Sequence, residues 1–377
     1  MQITYLRAVW LRAWGGLLLS LVALAVIFGD DPAPPHDEAV QKLIERLGTD
    51  DYPDREAATK ELFLMGDRPL SFLRIAATQS PNAETRWRAQ HILTQPTRQS
   101  PAIGLQLKLI KPGEFRQGSP DGETGRNPDE EQHATRISQA FYLGVFEVSQ
   151  HEYRQVLKLD PSAFAGTGDQ KAKVPGLVTD LFPVERVSWF DAIQFCNELS
   201  RLDKFQPFYL MTDVVRDGDS IQSAKVSIRG GHGYRLPTEA EWEFACRAET
   251  ATPYHYGQAA NGHRANLKGA TIPGGYGGEI KGPNLQRTCA RGSYPANPWG
   301  LHDMHGNVGE WCWDNYDTSF YSVAPHKDPT GPATGLHRVW RGGSWMVGET
   351  SCRSASRNSH TPNERKDYLG FRIARNP

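Results

Sequence analysis

Apolar residues recur at helical spacing soon after the polar linker at 30–35. Ala39, Leu43, Ile44 and Leu47 fall on one face of a helix that Gly48 ends. Pro53 suits the first turn of a second helix, whose Ala57, Ala58, Leu62 and Leu64 run to a stop at Gly66. Two further helical pieces follow over 70–77 and 83–93. The repeated helix, glycine, helix pattern over 36–95 predicts a small HEAT-like module. Stacked repeats need about three units to stand alone, so this one is expected to lean on its neighbour or on a partner, as a spacer or as a docking surface.

Beyond the linker at 94–102 the runs become short. A strand is predicted over 105–110, a turn at Pro112 and Gly113, a charged loop over 121–133 and a second strand over 141–148. Helix starts are marked three times, by Ser149 with Glu152, Ser188 with Asp191, and Thr238 with Glu241. In each, the hydroxyl accepts from the third helical amide while the acid reaches back to the cap. The glycine-rich 230–233 lacks the lysine and helix of a phosphate loop and reads as a turn before Tyr234. Three short capped helices in a loop-rich chain predict an α+β class.

Composition sharpens this picture. In 377 residues, 36 Gly, 26 Pro and 10 Trp indicate ordered loops rather than long helices or sheets, and a net charge of −1 carries no basic excess that would point to nucleic acid. Five cysteines are too few for a disulfide scaffold, and an odd number leaves one thiol unmatched. Arg7 and Arg12 precede an apolar run at 13–29, followed by Asp30 and Asp31. That order predicts either an export signal, with Ala23, Leu24 and Ala25 as a cleavage pattern, or a membrane anchor through 13–29. Both place the remainder outside the cytoplasm, secreted or anchored.

One stretch, 296–314, fits no helical or alternating period. It interleaves Trp299, Trp311 and Trp313 with Gly300, Gly306 and Gly309 and with the oxygen donors Asp303, Asn307, Glu310 and Asp314. Glycines let carbonyls turn inward beside carboxylates while indoles exclude water, which suits a hard cation such as Ca²⁺. The plainer alternative is an aromatic turn whose carboxylates cap backbone amides. His302 and His305 offer too few ligands for zinc and read as hydrogen-bonding residues.

Here the motifs carry a resemblance. "GEFRQGS", "FEVSQHEYRQVL", "PVERVSWFDAIQFCNELS", "YRLPTEAEWEFACRA", "ANPWGLHDMHGNVGEW", "RVWRGGSW", "CRSASRN" and "LGFRIAR" follow one another across 103–374, and the series resembles the formylglycine-generating enzyme, or sulfatase-modifying factor, family. The resemblance implies a loop-rich domain over 102–377 related to the C-type-lectin fold, with structural Ca²⁺. One calcium site would use Asp303, the carbonyls of Gly306 and Val308, and Glu310; a second would use Asn266, the carbonyl of Leu267, Glu279 and the carbonyl of Lys281. Arg341, Arg353, Arg357 and Arg372 would tie loops by bidentate bonds.

The family's oxidases convert a cysteine of a sulfatase peptide to formylglycine with O₂, through two cysteines that bind copper(I) just after a Gly-Gly-Ser turn. The turn is present as Gly342, Gly343 and Ser344. Val347 stands where the first cysteine belongs, no residue replaces the second, and the register puts Cys352 outside the pair. Gly309 replaces a common tryptophan and Tyr368 an asparagine, while Ser354 and Ile373 stand where the family's oxidases have disulfide cysteines, so that Cys196 and Cys246 lose the partners the resemblance implies. Copper is therefore not expected. The groove of Trp345, Val347, Gly309 and Tyr368 is read as a binding surface for a peptide, glycan or protein. The alternative is an oxidase or other protein-modifying enzyme acting through Cys352, with His360 or His337 as base, or through Ser344; a purely structural role is the third reading.

Overall fold

The computed structural model describes residues 37–65, 69–93, 97–260, 262–268 and 283–377. The expected export segment, Gly66, Glu279 and Lys281 lie outside the described residues. Four helices open the described chain: α1 (Glu38–Arg46), α2 (Tyr52–Leu64), α3 (Leu70–Gln79) and α4 (Ala83–Leu93). They pack as two antiparallel pairs around Val40, Leu43, Leu47, Ala58, Leu62, Leu73, Ala89 and Ile92. Arg88 crosses between pairs, reaching Glu84 at 2.6 Å and Glu56 at 2.8 Å. Arg98 donates to the carbonyl of Ile92 and, at 3.3 Å, to the Tyr142 hydroxyl, so one buried guanidinium joins the last helix to the first sheet.

That sheet has five antiparallel strands in the order Thr97–Gln99, Gln106–Ile110, Phe141–Gly144, Ala374–Arg375 and Tyr234–Arg235. The C-terminal residues thus lie inside the sheet, where both edges of the backbone are paired. A second sheet orders Asn358–His360, Arg338–Arg341, Gly309–Asn315 and Leu369–Gly370, the last pair parallel. Two hairpins complete the β strands of the described residues, Gly113–Gln117 with His133–Ile137 and Tyr209–Asp217 with Ser220–Ile228.

The three predicted capping boxes open α5 (Gln150–Leu157), α6 (Trp189–Leu202) and α7 (Glu239–Arg247). In each the acid accepts from the cap amide at 2.9 Å. The loop-rich α+β arrangement preceded by helices is the one the sequence predicts. Two expectations change. The strand expected over 141–148 ends at Gly144, because the chain bends there until a Cβ on Gly144 would stand 2.9 Å from the carbonyl oxygen of Phe146. The stretch at 296–314 is not all loop: its second half is the strand Gly309–Asn315, buried on both faces, which is why no alternation marks it.

Candidate functional site

The Gly-Gly-Ser turn leaves the strand Arg338–Arg341 with Gly342 and Gly343 at φ 91° and 70°. Only glycine suits position 343, where a Cβ would meet the Cys352 sulfur at 2.4 Å. The turn is sewn to the 306–307 loop: Gly306 donates to the carbonyl of Gly342 at 2.8 Å, and Trp345 donates to that of Asn307 at 3.0 Å. Asn307, itself left-handed at φ 58°, is the hub. Its side-chain oxygen accepts from Cys289 N and Asn266 Nδ2, both at 3.0 Å, and its amide nitrogen donates to Glu147 at 2.8 Å. Its backbone N–H goes to the carbonyl of Asn266 at 2.7 Å.

Behind this hub three carboxylates are buried together: Glu147, Asp303 and Glu310. Arg372 clamps Glu310 with bonds of 2.5 and 2.6 Å, and the Trp242 indole donates to the same carboxylate at 2.7 Å. Asp303 accepts from Gly292 N at 2.6 Å. Burial, then the neighbouring Asp303 and Glu310, pushes Glu147 well above the usual carboxylate range, and burial lifts Asp303 to about 6 against the Gly292 amide and Arg372. One guanidinium faces three acids, so the cluster carries surplus negative charge unless protons or a cation offset it. A second polar atom is left open nearby: Asn266 Oδ1 is buried with no hydrogen-bond partner among the described residues. As the side chains stand, no group of three or more His, Cys, Asp or Glu among the described residues converges on one metal position.

The expected arginine framework is present as clamps. Arg357 holds Glu239 at 2.8 and 2.9 Å, and Arg353 holds Glu130 at 2.7 and 2.8 Å. Arg341 meets Glu243 at 2.5 Å and also the carbonyls of Ser354, Ala355 and Ser356.

The groove residues fall into neighbouring patches. Trp345 packs edge-on against Phe164 and donates to the carbonyl of Asp367 at 3.1 Å, while Gly309 donates to the adjoining carbonyl of Tyr368 at 2.7 Å. Tyr368 and His360 share a bond of 3.1 Å, and His360 stacks on Trp340. Sequence reasoning gave Trp340 no role, yet its ring lies over Gly309, where a Cβ would meet it at 2.5 Å. The space a tryptophan at 309 would claim is occupied by an indole from the next strand. Val347 lies apart from these, packed with Cys352, Tyr254 and Leu267.

All five cysteines are buried and unbridged. Cys246 faces the Ser354 hydroxyl at 3.6 Å, and burial pushes the Cys352 thiol up to about 12. Ser344 is also fully buried. His360 belongs to the Trp340 stack rather than to the cluster around Cys352. The histidine beside Cys352 is His305, whose Nδ1 donates to the Cys352 carbonyl at 2.7 Å while Nε2 accepts from His255 N at 3.2 Å. His302 likewise bonds a backbone carbonyl, that of Tyr294. Glu147 too was missed, although it is the only charged residue in the run 141–148.

Short strands, long ordered loops and buried guanidinium clamps define a C-type-lectin-like scaffold of mixed α+β class. Residues 95–377 match the sulfatase-modifying factor enzyme 1-like domain, and the chain belongs to that family. Chaperone protein LppX of Paenibacillus barcinonensis is 28% identical over 247 residues, covering 62% of this chain and 80% of the relative. The serine/threonine-protein kinase pkn1 of Chlamydia pneumoniae is 28% identical over 292 residues, 73% of this chain but 38% of the kinase. The formylglycine-generating enzyme of Streptomyces coelicolor is 38% identical over 149 residues, 38% of this chain and 46% of the enzyme. The chain thus spans less than half of the kinase and of the enzyme. Among solved structures, Treponema denticola variable protein 1 superposes with a TM-score of 0.57 at 28% identity, covering 74% of this chain and 98% of its own. PvdO from Pseudomonas aeruginosa shares the fold, with a TM-score of 0.56 at 24% identity.

Proposed function

We propose that this protein is an exported, non-oxidase member of its family that binds a protein partner through the surface at Trp345 and Tyr368, with Gly309 buried beneath it. The observation that carries the reading is the state of the thiols. On the family resemblance Val347 would stand at the first copper-ligand position, and the nearest cysteine, Cys352, is fully buried with its sulfur against Gly343. A linear two-thiolate copper(I) site needs a second sulfur and an open face for the substrate thiol, and Cys352 supplies neither. The match to a relative named a chaperone, over most of that relative's length, favours a protein ligand over a glycan.

Calcium is the proposed structural ion, held by Asp303, the carbonyls of Gly306 and Val308, and Glu310, with Asn266 and Leu267 contributing to a second site. The surplus of buried carboxylates and the open Asn266 Oδ1 support it, since both are hard oxygen donors awaiting positive charge. Export rests on the basic-then-apolar order of Arg7, Arg12 and 13–29; among the described residues no helix is long and apolar enough to cross a membrane. The test is incubation with copper(I), O₂ and a peptide containing Cys-x-Pro-x-Arg, read by mass. No aldehyde product is expected; turnover that vanishes with Cys352→Ala would overturn the proposal.

A further inference from the structure

A cavity of about 370 Å³ opens between the charged loop at 120–126, the turn at 251–258 and the 3-10 turn Glu349–Cys352. We infer that it binds a cationic side chain, a lysine ammonium or an arginine guanidinium. The inference rests on the protein-partner reading and names what such a partner presents.

Charge decides the ligand class. Glu123, Glu349 and Arg353 all line the cavity. Arg353 is already shared: Nη1 and Nη2 reach Glu130 at 2.8 and 2.7 Å, and Nη1 also reaches Glu123 at 2.6 Å. One guanidinium therefore answers two carboxylates. The next arginine, Arg247, bonds Glu243 at 2.9 Å and the carbonyl of Gly118 at 2.8 Å; Glu243 is shared with Arg341, and Arg247 also acts on Glu123, so Glu123 is answered. Glu349 has no ion-pair partner among the described residues, and burial raises its carboxyl with no positive neighbour working against it. The charge that the wall leaves unanswered is therefore that of Glu349, which disfavours an anion and favours a cation beside it. Pro120, Pro253 and Tyr254 supply apolar surface along which an aliphatic stem lies while its charged head meets the acids.

The cavity is also built in advance. Tyr254 donates to the backbone carbonyl of Glu349 at 2.7 Å, and Arg353 donates to those of Thr350 at 2.9 Å and Gly125 at 2.5 Å. Gly125, at φ 81°, lies so near the turn that a Cβ would stand 2.5 Å from Thr350 Cγ2. Loop and turn are locked together, so binding costs little ordering.

The test titrates the full chain with N-acetyl-lysine amide, N-acetyl-arginine amide and N-acetyl-norleucine amide, the last having the lysine stem without its charge. Saturable binding of the two cationic amides, in mutual competition, is expected, with the norleucine amide at least about tenfold weaker. Glu349→Gln is expected to weaken the cationic amides about tenfold. Gly122→Trp, at a lining position where an added Cβ meets nothing within 4 Å, is expected to block them by filling the space. Asp213→Asn, on the exposed hairpin, is expected to change nothing. Equal binding of the norleucine amide, affinity unmoved by Glu349→Gln and Gly122→Trp, or no binding of any amide would overturn the inference. None of these results touches the non-oxidase reading, which the aldehyde assay decides separately.

Discussion

Gly309 and Trp340 form a pair whose coupling can be measured. Gly309 lies in a strand, so its backbone suits any residue, and what forbids a side chain is space alone. A methyl group there would stand 2.5 and 2.8 Å from Cε3 and Cζ3 of Trp340 and 3.3 Å from a Leu369 methyl. Comfortable carbon contacts are about 3.5–4.0 Å, so the overlap with the ring approaches about 1 Å. Trp340 cannot swing away, being 5% exposed and stacked on His360 at 5.7 Å. Gly309→Ala should therefore cost about 1–3 kcal/mol, a loss of about 2–10 °C in melting temperature. Trp340→Leu should itself be destabilising, by about 2–4 kcal/mol, through the void it leaves. In that background Gly309→Ala should cost under about 0.5 kcal/mol, giving a coupling of about 1–2 kcal/mol. The assay is denaturant unfolding of the four proteins. An alanine cost that is equal in both backgrounds would refute the steric argument.

Two further outcomes are expected. Chelation with EDTA should lower the melting temperature, and Asp303→Asn, which keeps the side-chain shape, should abolish most of that sensitivity; superimposable melts with and without chelator would remove the calcium proposal. His305, whose pKa burial pushes down to about 3, should give stability that is present above its unfolded value near 6.5 and is lost as pH falls, because a second ring proton would face the His255 N–H. The full difference approaches about 5 kcal/mol, and a His305→Gln variant should show a flatter acid limb than the parent; parallel limbs from pH 7 to pH 4 would contradict this.

What could be read in the chain follows from how local its causes are. The capping boxes at Ser149, Ser188 and Thr238 were legible because four consecutive residues contain the whole interaction. The hairpin Tyr209–Asp217 with Ser220–Ile228 went unread although Gly218 begins its two-residue turn at φ 55°, a signal the sequence does hold. The strand Gly309–Asn315 could not be told from a loop, since burial on both faces erases the alternation that marks a half-exposed strand. At the site, Asp303 and Glu310 stood out by type, but Glu147 arrives from far along the chain and only the fold brings it beside them. The Gly309 and Trp340 exchange is likewise a matter of two strands meeting in space.

The guanidinium clamps carry a consequence of their own. Where a disulfide would pin loops covalently and depend on the redox state around it, Arg353, Arg357 and Arg372 pin them with charges that no reductant reaches and that alkali short of their very high pKa leaves intact. The architecture is thereby indifferent to whether its surroundings are oxidising, and a chain emerging on either side of a membrane would meet the same folding instructions.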